Sequence, residues 1–527
     1  MVSEINSIWV VGGGTAGTFV ACVLKKIFPK KDIRILEGRN IPTIGVGEST
    51  LGQINNFLQL LNIQDKDFMK ECDASYKLSI RFENWLNKDS GSFHYPFGKA
   101  YYDSNILNYN YWYYKKFIQP KTPNTDFADC MFPHMAMINE NKICDQDGVF
   151  PNWTLKKDVA YHLDAIKFSE WLKEKYFRKI GGRILKENII KVNHNEDGSI
   201  KSLLLDTQNE VKGDLYVDCT GFKSLLLGDA LKEPFESYED TILPNNSAWA
   251  TKQPYKDKRK ELVGYTNCKA VENGWIWDIP LWSRMGRGYV YSNKYISDDD
   301  ALKQFQSHLG TEDLEFKKIP MKIGVHKRLW VKNVCAIGLS AGFIEPLESN
   351  GLLTMHTFLM KLVAILKKKI VNEFAIQHFN LVCRRMMRGF AEFVAMHYAL
   401  SDRIDTEYWR DIQKRNYNIE EKFHDEKSDF QLAFKNKMEE NYWHPIGGIP
   451  CIATGMNWFP TSFEEIRYAE ANASIESYRK DWKHIIENLE KRKIEFKKLA
   501  SSCPTLYDYL SKNIYNNGSK ETNRINT

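Results

Sequence analysis

A short apolar strand that runs into three consecutive glycines constrains this chain more than any other stretch. Ile8-Trp9-Val10-Val11 leads into Gly12-Gly13-Gly14-Thr15-Ala16-Gly17, which fits GxGxxG, and an apolar helical stretch follows over Thr18–Ile27. A second strand, Ile33–Leu36, ends in Glu37, twenty residues after Gly17. Each part has a physical reason. The glycines let the backbone approach a pyrophosphate, and the helix N-terminus offers unpaired N–H groups with a partial positive charge. The acid at the end of the second strand accepts from ribose hydroxyls. Strand, loop, helix, strand and acid in register predict an α/β dinucleotide-binding core. The pattern alone does not choose between NAD and FAD.

Composition sets the frame around that core. The chain has 527 residues, enough for one large enzyme fold or several domains, and 43% of them are apolar. A net charge of +6, with both signs mixed and no long basic block, argues against a nucleic-acid partner. No apolar run reaches the roughly 18 residues of a membrane span, so no membrane partner is expected. The N-terminus starts a strand at once and lacks the layout of a signal peptide. The ten cysteines form no CxxC pair and read as reduced thiols of a cytoplasmic protein. The twelve histidines show no zinc spacing, so no metal is expected. The 14 Trp, 26 Tyr and 29 Phe suit a protein that handles flat ligands, besides filling a core.

Two later stretches, Asp214–Phe222 and Val334–Gly342, are strands that run into glycine turns. Between them lies Gly274-Trp275-Ile276-Trp277-Asp278-Ile279-Pro280, a GWxWxIP strand whose alternation puts Trp275 and Trp277 on one face. On its own, such a pair is a core aromatic pair. Downstream stands Phe343-x-x-Pro346-x-x-Ser349-x-Gly351, where proline and small residues read as a helix start before the apolar run from Leu352. Lys77 falls where apolar and polar residues alternate as in a strand, which for most lysines means facing solvent.

With these signatures in order, the chain resembles the flavin-dependent halogenases, most closely the tryptophan-halogenase branch, over about residues 5 to 460. Pro42–Thr50, Tyr76-Lys77-Leu78, His94-Tyr95-Pro96-Phe97-Gly98 and Tyr161–Ala165 agree with that family. The resemblance implies an α/β fold with a Rossmann-like FAD-binding core of the GR2 flavin-monooxygenase type and a largely helical C-terminal substrate-binding module. The expected boundaries are 1–350 for the FAD module, with inserted segments near 90–150, then 351–510 for the helical module, and a polar, disordered tail over 511–527. A surface helix is expected over about Ser474–Leu499.

The same resemblance assigns residues. Gly12, Gly14, Thr15, Ala16, Gly17, Glu37, Val46, Gly47, Asp218, Gly338 and Leu339 are the implied FAD-binding set. Lys77 and Glu348 are the implied catalytic pair. Ser349, Asn350 and Gly351 form the implied halide turn, with Asn350 standing where most of the family has threonine. Trp275 and Trp277 make an indole wall beside the flavin. His94, Phe97, Tyr442, Trp443 and Trp458 are implied substrate contacts, and Glu345 is read as structural. The implied chemistry starts from FADH2 delivered by a separate NAD(P)H-dependent flavin reductase, since no second nucleotide fingerprint is present. Dioxygen gives a flavin C4a-hydroperoxide, a halide converts it to hypohalous acid, and Lys77 presents that reagent to an electron-rich, indole-like arene. A homo-oligomer stays open. Two other readings share the FAD motifs, a hydroxylating flavin monooxygenase and a non-catalytic FAD-binding protein, but neither has a use for the indole wall, Lys77 and Glu348.

Overall fold

Strand Ser7–Val11 lies inside a six-stranded sheet of order Trp330–Val331, Val334–Ala336, Leu215–Asp218, Ser7–Val11, Asp32–Glu37, Arg183–Lys186. The strands run parallel except Trp330–Val331, and Val10 pairs with Ile35 on one side and Val217 on the other. Burial on both faces explains why these strands read as near-continuous apolar runs. This computed structural model describes residues 4–39, 47–106, 110–368, 370–415, 448–458 and 476–515. Val46, Tyr442 and Trp443 therefore lie outside the described residues.

The contacts divide the chain into two units, each assembled from three segments. The first comprises residues 1–74, 162–248 and 317–391, and the second 75–161, 249–316 and 392–527. The boundary expected near residue 350 falls within a continuous stretch of the first unit.

In the first unit, helix Thr15–Ile27 packs on strands Ser7–Val11 and Asp32–Glu37 and is buried continuously from Gly17 to Leu24. Phe19 stacks on Phe57 of helix Ile54–Leu61, and Thr18 Oγ1 meets Ser169 Oγ at 2.9 Å. Helix Gly351–Leu366 begins at the expected turn.

The second unit is built on a sheet in which Ser247–Gln253, Met285–Tyr291, Gly274–Pro280, Tyr265–Val271, Ser79–Glu83 and Ser92–Pro96 lie side by side. Helix Asp298–Leu309 closes one end of it through Ala301, Phe305 and Leu309, which pack on Val271, Ile276, Tyr289 and Tyr291. Its bounds follow from local chemistry. Ser297 caps the first turn through Asp300 N, three aspartates favour the N-terminal dipole, and Gly310 ends the helix in the left-handed region.

After residue 343 the described elements are all helices. The surface helix runs over Glu476–Ser501, yet its inner face is firmly held. Lys493 and Lys115 each reach Asp126 at 2.6 Å, and Arg492 reaches Asp103 at 2.7 Å. Of the tail expected over 511–527, residues 511–515 are ordered and residues 516–527 lie outside the described residues. Helix Leu506–Asn513 continues through Ser511, and Tyr515 is buried against Trp282, ring centroids 4.1 Å apart and nearly parallel. An aromatic side chain at that point outweighs the polar composition around it. Among the described residues, no helix is long and apolar enough to cross a membrane, and no group of three or more His, Cys, Asp or Glu side chains is placed to hold a metal ion.

Candidate active site

The glycine loop is tightly built. Gly12 has φ +114°, and a Cβ there would lie 2.2 Å from Cys219 O. A Cβ on Gly17 would lie 1.8 Å from Gly12 O, so the helix begins pressed against the loop. Gly14 is the N-cap, no side chain caps the helix, and its first turn, with Thr15, Ala16 and Gly17, holds no acid. That leaves backbone donors and a positive helix end for an anion. The Glu37 carboxyl lies over the loop, where a Cβ on Gly13 would come within 2.6 Å of Oε1. Glu37 Oε1 accepts from Lys173 Nζ at 2.8 Å, while Oε2 is buried with no hydrogen-bond partner among the described residues. A buried acceptor beside a close-approach loop fits the ribose and pyrophosphate of a dinucleotide.

Around the loop, Gly338 has φ +81° and approaches Ala16 so closely that a Cβ would sit 2.7 Å from Ala16 Cβ. Leu339 is half-buried beside it, and Gly47 also lies at positive φ, +128°. Asp218 departs from its expected part as a cofactor contact. It is fully buried, and its carboxylate accepts from Thr220 N and Oγ1 and from Leu226 N and Leu227 N at 2.7–3.0 Å. All of that acceptor capacity braces the turn after its own strand, so its side chain is structural.

The Pro346–Glu348 turn joins helix Gly351–Leu366 through Ser349, which is held left-handed at φ +54°. Ser349 Oγ donates to Ser49 Oγ at 3.0 Å. Glu348 is 1% exposed, and Asn350 is 2% exposed with its Nδ2 buried and unpartnered among the described residues. No side chain caps the helix. A Cβ on Gly351 would meet nothing within 4 Å, so the turn opens at that residue. Glu345 is structural, as expected: its two oxygens take Asn245 N and Nδ2 at 3.1 and 2.9 Å. Nearby, burial, reinforced by Asp164, pushes Glu48 up to about 7, although part of its surface stays accessible.

In the second unit, Lys77 closes strand Ser75–Lys77 and is fully buried, against the solvent-facing reading of its alternation. The next residue explains this. Leu78 N donates to Gly264 O and Leu78 O accepts from Phe97 N, so the chain at Lys77 is stitched on both sides. Lys77 Nζ stands 4.9 Å from the Phe97 ring centroid, a cation–π contact. His94 Nδ1 lies 3.0 Å from Ser79 Oγ, and burial, with Arg81 adding to it, pushes His94 down to about 3, so it is neutral. Trp275 and Trp277 do share a face, 6.1 Å apart. A Cβ on Gly288 would strike the Trp277 ring at 2.0 Å, so that glycine makes room for the indole. Trp458 follows helix Gly448–Gly455 and is half-buried.

Two residues beside Phe97 escaped the sequence reading. His134 and Trp153 stack at 5.7 Å, and each would lie 3.1 Å from a Cβ on Gly98, whose φ is +126°. Burial pushes His134 down to about 3. Their loops carry no periodicity or motif, and the only local trace is the glycine itself.

A GxGxxG cradle on a parallel sheet has the geometry of a dinucleotide-binding enzyme, and the second unit carries a buried lysine and a twin-indole strand. The family model described as tryptophan halogenase matches residues 7–471, and the chain belongs to this family of flavin-dependent halogenases. It is 35% identical over 429 residues to 7-chloro-L-tryptophan 6-halogenase KtzR of Kutzneria sp. (strain 744), covering 77% of this chain and 81% of that protein. To tryptophan 7-halogenase RebH of Lentzea aerocolonigenes it is 31% identical over 493 residues, 87% of this chain and 91% of RebH. The solved structure of apo VirX1 superposes with a TM-score of 0.88 at 35% identity, covering 98% of this chain and all of VirX1.

Proposed function

We propose that this enzyme halogenates a small electron-rich arene of the indole class, using FADH2 from a separate NAD(P)H-dependent flavin reductase, dioxygen and a halide. The observation that carries this reading is Lys77, a fully buried lysine held over an aromatic ring within a halogenase fold. Bound reduced FAD supplies the electrons that activate dioxygen toward the halide, giving hypohalous acid.

The chain's own residues divide the remaining work. The loop Gly12–Gly17 and Glu37 hold the dinucleotide, with Gly47, Gly338 and Leu339 beside it. Ser349, Asn350 and Gly351 form the halide turn, where an uncapped helix start favours an anion. Lys77 donates from its ammonium to the hypohalous acid and so polarises the bond to the halogen. Burial keeps water from competing for that donor. Glu348 is the carboxylate that receives the ring proton as the arene regains aromaticity. Trp275 and Trp277 screen the arene from the cofactor, and His94, Phe97 and Trp458 contact it. KtzR and RebH are named for tryptophans as substrates, which supports the indole class.

The test supplies the purified enzyme with FAD, a flavin reductase, NADH and tryptophan or another indole, with chloride, bromide or iodide in turn. Mass spectrometry should find a halogen isotope pattern on the ring. Oxygen in its place, or no product with any indole while phenols react, would overturn the reading.

A further inference from the structure

Outside the halogenation machinery, the cysteines Cys144 and Cys503 stand opposite each other. The segments that carry them run antiparallel. Lys142 bridges to Thr505, Leu506 N donates to Asn141 O at 2.9 Å, and Ile143 N donates to Pro504 O at 3.1 Å. The same register carried one step further would pair Cys144 with Cys503. Ladder positions alternate, and the bonds through Asn141–Leu506 and Ile143–Pro504 flank Lys142–Thr505 as a non-hydrogen-bonded pair. The ladder ends at Ile143–Pro504, and Cys503 N turns back to Ala500 O, so Cys144 and Cys503 flank the last bond, with their side chains interacting. A disulfide spans Cα atoms about 4.4–6.8 Å apart, a reach suited to residues that flank one such bond.

Further contacts hold the two segments together. Lys142 Nζ donates to Ser501 O at 2.8 Å, and Tyr509 Oη donates to Asp145 Oδ2 at 3.1 Å. Both thiols are reduced in this structure. Cys144 is buried and Cys503 is partly exposed, so one member of the pair is open to a small oxidant. The remaining cysteines are all buried, including Cys335 with its neighbours Cys219 and Cys383.

We propose that Cys144 and Cys503 form a vicinal dithiol site that takes a peroxide as oxidant and closes to a disulfide, fastening the end of helix Glu476–Ser501 to the Asn141–Asp145 segment. The Cys503 thiolate attacks one peroxide oxygen, the O–O bond breaks, hydroxide leaves, and the sulfur becomes a sulfenic acid. The Cys144 sulfur then attacks that sulfur, the S–S bond forms and water leaves. Two thiols are oxidised, one peroxide is reduced to two waters, and both thiol protons end on water. Burial, the neighbouring Cys144 thiol and the opposing pull of Lys142 together leave Cys503 at about 11, so the thiolate is scarce near neutrality and closure is slow there.

The test uses the full chain, reduced, desalted and treated with a small excess of hydrogen peroxide at mildly alkaline pH. The intact mass should fall by about 2 Da, the two thiol hydrogens, and peptide mapping should find the Cys144 and Cys503 peptides joined. Dithiothreitol should reverse both changes, and thermal unfolding should shift upward only while the link is present. Cys144→Ser and Cys503→Ser should each abolish the link. Mapping of the unaltered chain decides the matter even where a variant does not fold. Sulfinic acid on Cys503 with Cys144 still free, a link between two copies, or a link through any other cysteine would overturn the proposal.

Discussion

Gly17→Ala puts the nucleotide cradle to a quantitative test. The added Cβ would lie 1.8 Å from Gly12 O, whereas real Cβ atoms essentially never come within 3.0 Å of a neighbour. Gly12 cannot yield, because its own position is fixed against Cys219 O, 2.2 Å from a Cβ site. The helix start must therefore back away by about 1.2 Å, which stretches a hydrogen bond of about 2.9 Å past 4 Å and abolishes it. Two first-turn N–H donors to a pyrophosphate, at about 1.5–3 kcal/mol each, give a loss of about 10²–10⁴-fold in FAD affinity. The assay is an FAD titration by flavin fluorescence, on protein whose circular dichroism and elution match the parent. Gly351→Ala is the contrast, because a Cβ there meets nothing within 4 Å and the fold should accept it. A Gly17→Ala Kd within threefold of the parent would refute the cradle as the nucleotide site.

Lys77→Met keeps the buried stem and removes the ammonium; halogenated product should drop at least ~10²-fold while reduced flavin is still oxidised, and sustained product would remove Lys77 from the chemistry. Glu348→Gln should lower turnover by about 10²–10⁴-fold with little change in apparent halide affinity, as read from initial rate against halide concentration. Asn350→Thr should keep turnover but change the relative rates with chloride, bromide and iodide, and unchanged halide parameters would reduce the turn to a helix start. Glu48 is raised in the folded state, so that state holds its proton longer than the unfolded chain does, and its contribution to stability falls as pH climbs from the ordinary carboxyl range to about 7. Glu48→Gln should therefore unfold at a higher temperature than the parent at pH 8 and at a similar one near pH 4.5, and a gap that widens toward low pH would contradict that sign.

The parts of the molecule governed by local pattern were legible. The apolar runs around the glycine motif placed a strand at Ile8–Val11, a helix over Thr18–Ile27 and a strand at Ile33–Leu36, which form as Ser7–Val11, Thr15–Ile27 and Asp32–Glu37, and Trp275 and Trp277 share a face because a strand alternates. Burial of Lys77 was not legible, because it depends on Gly264 and Phe97, which are distant in sequence. Asp218 was misread for the same kind of reason. The family resemblance assigned it to the cofactor, yet its carboxylate accepts from Thr220, Leu226 and Leu227, two, eight and nine residues on. His134 and Trp153 converge on Gly98 from separate loops that bear no signature. Interleaving of two units from six segments leaves no trace at all in a reading that moves along the chain.

That interleaving governs how the chain comes off the ribosome. Ser7 takes its partner Asp214 from 207 residues downstream. At about 5–20 residues per second, the first apolar strand waits about 10–40 s for the neighbour that covers one edge. The first unit draws on residues up to 391, and the second on residues beyond 392, so neither closes early in synthesis. A nascent chain of this design exposes Ile8–Val11 as an unpaired edge through much of translation, the condition under which strands associate with the wrong neighbour. A co-expressed holdase should therefore raise the soluble yield more than any substitution at the active site, and a cut near residue 350 would strip both units of their closing segments.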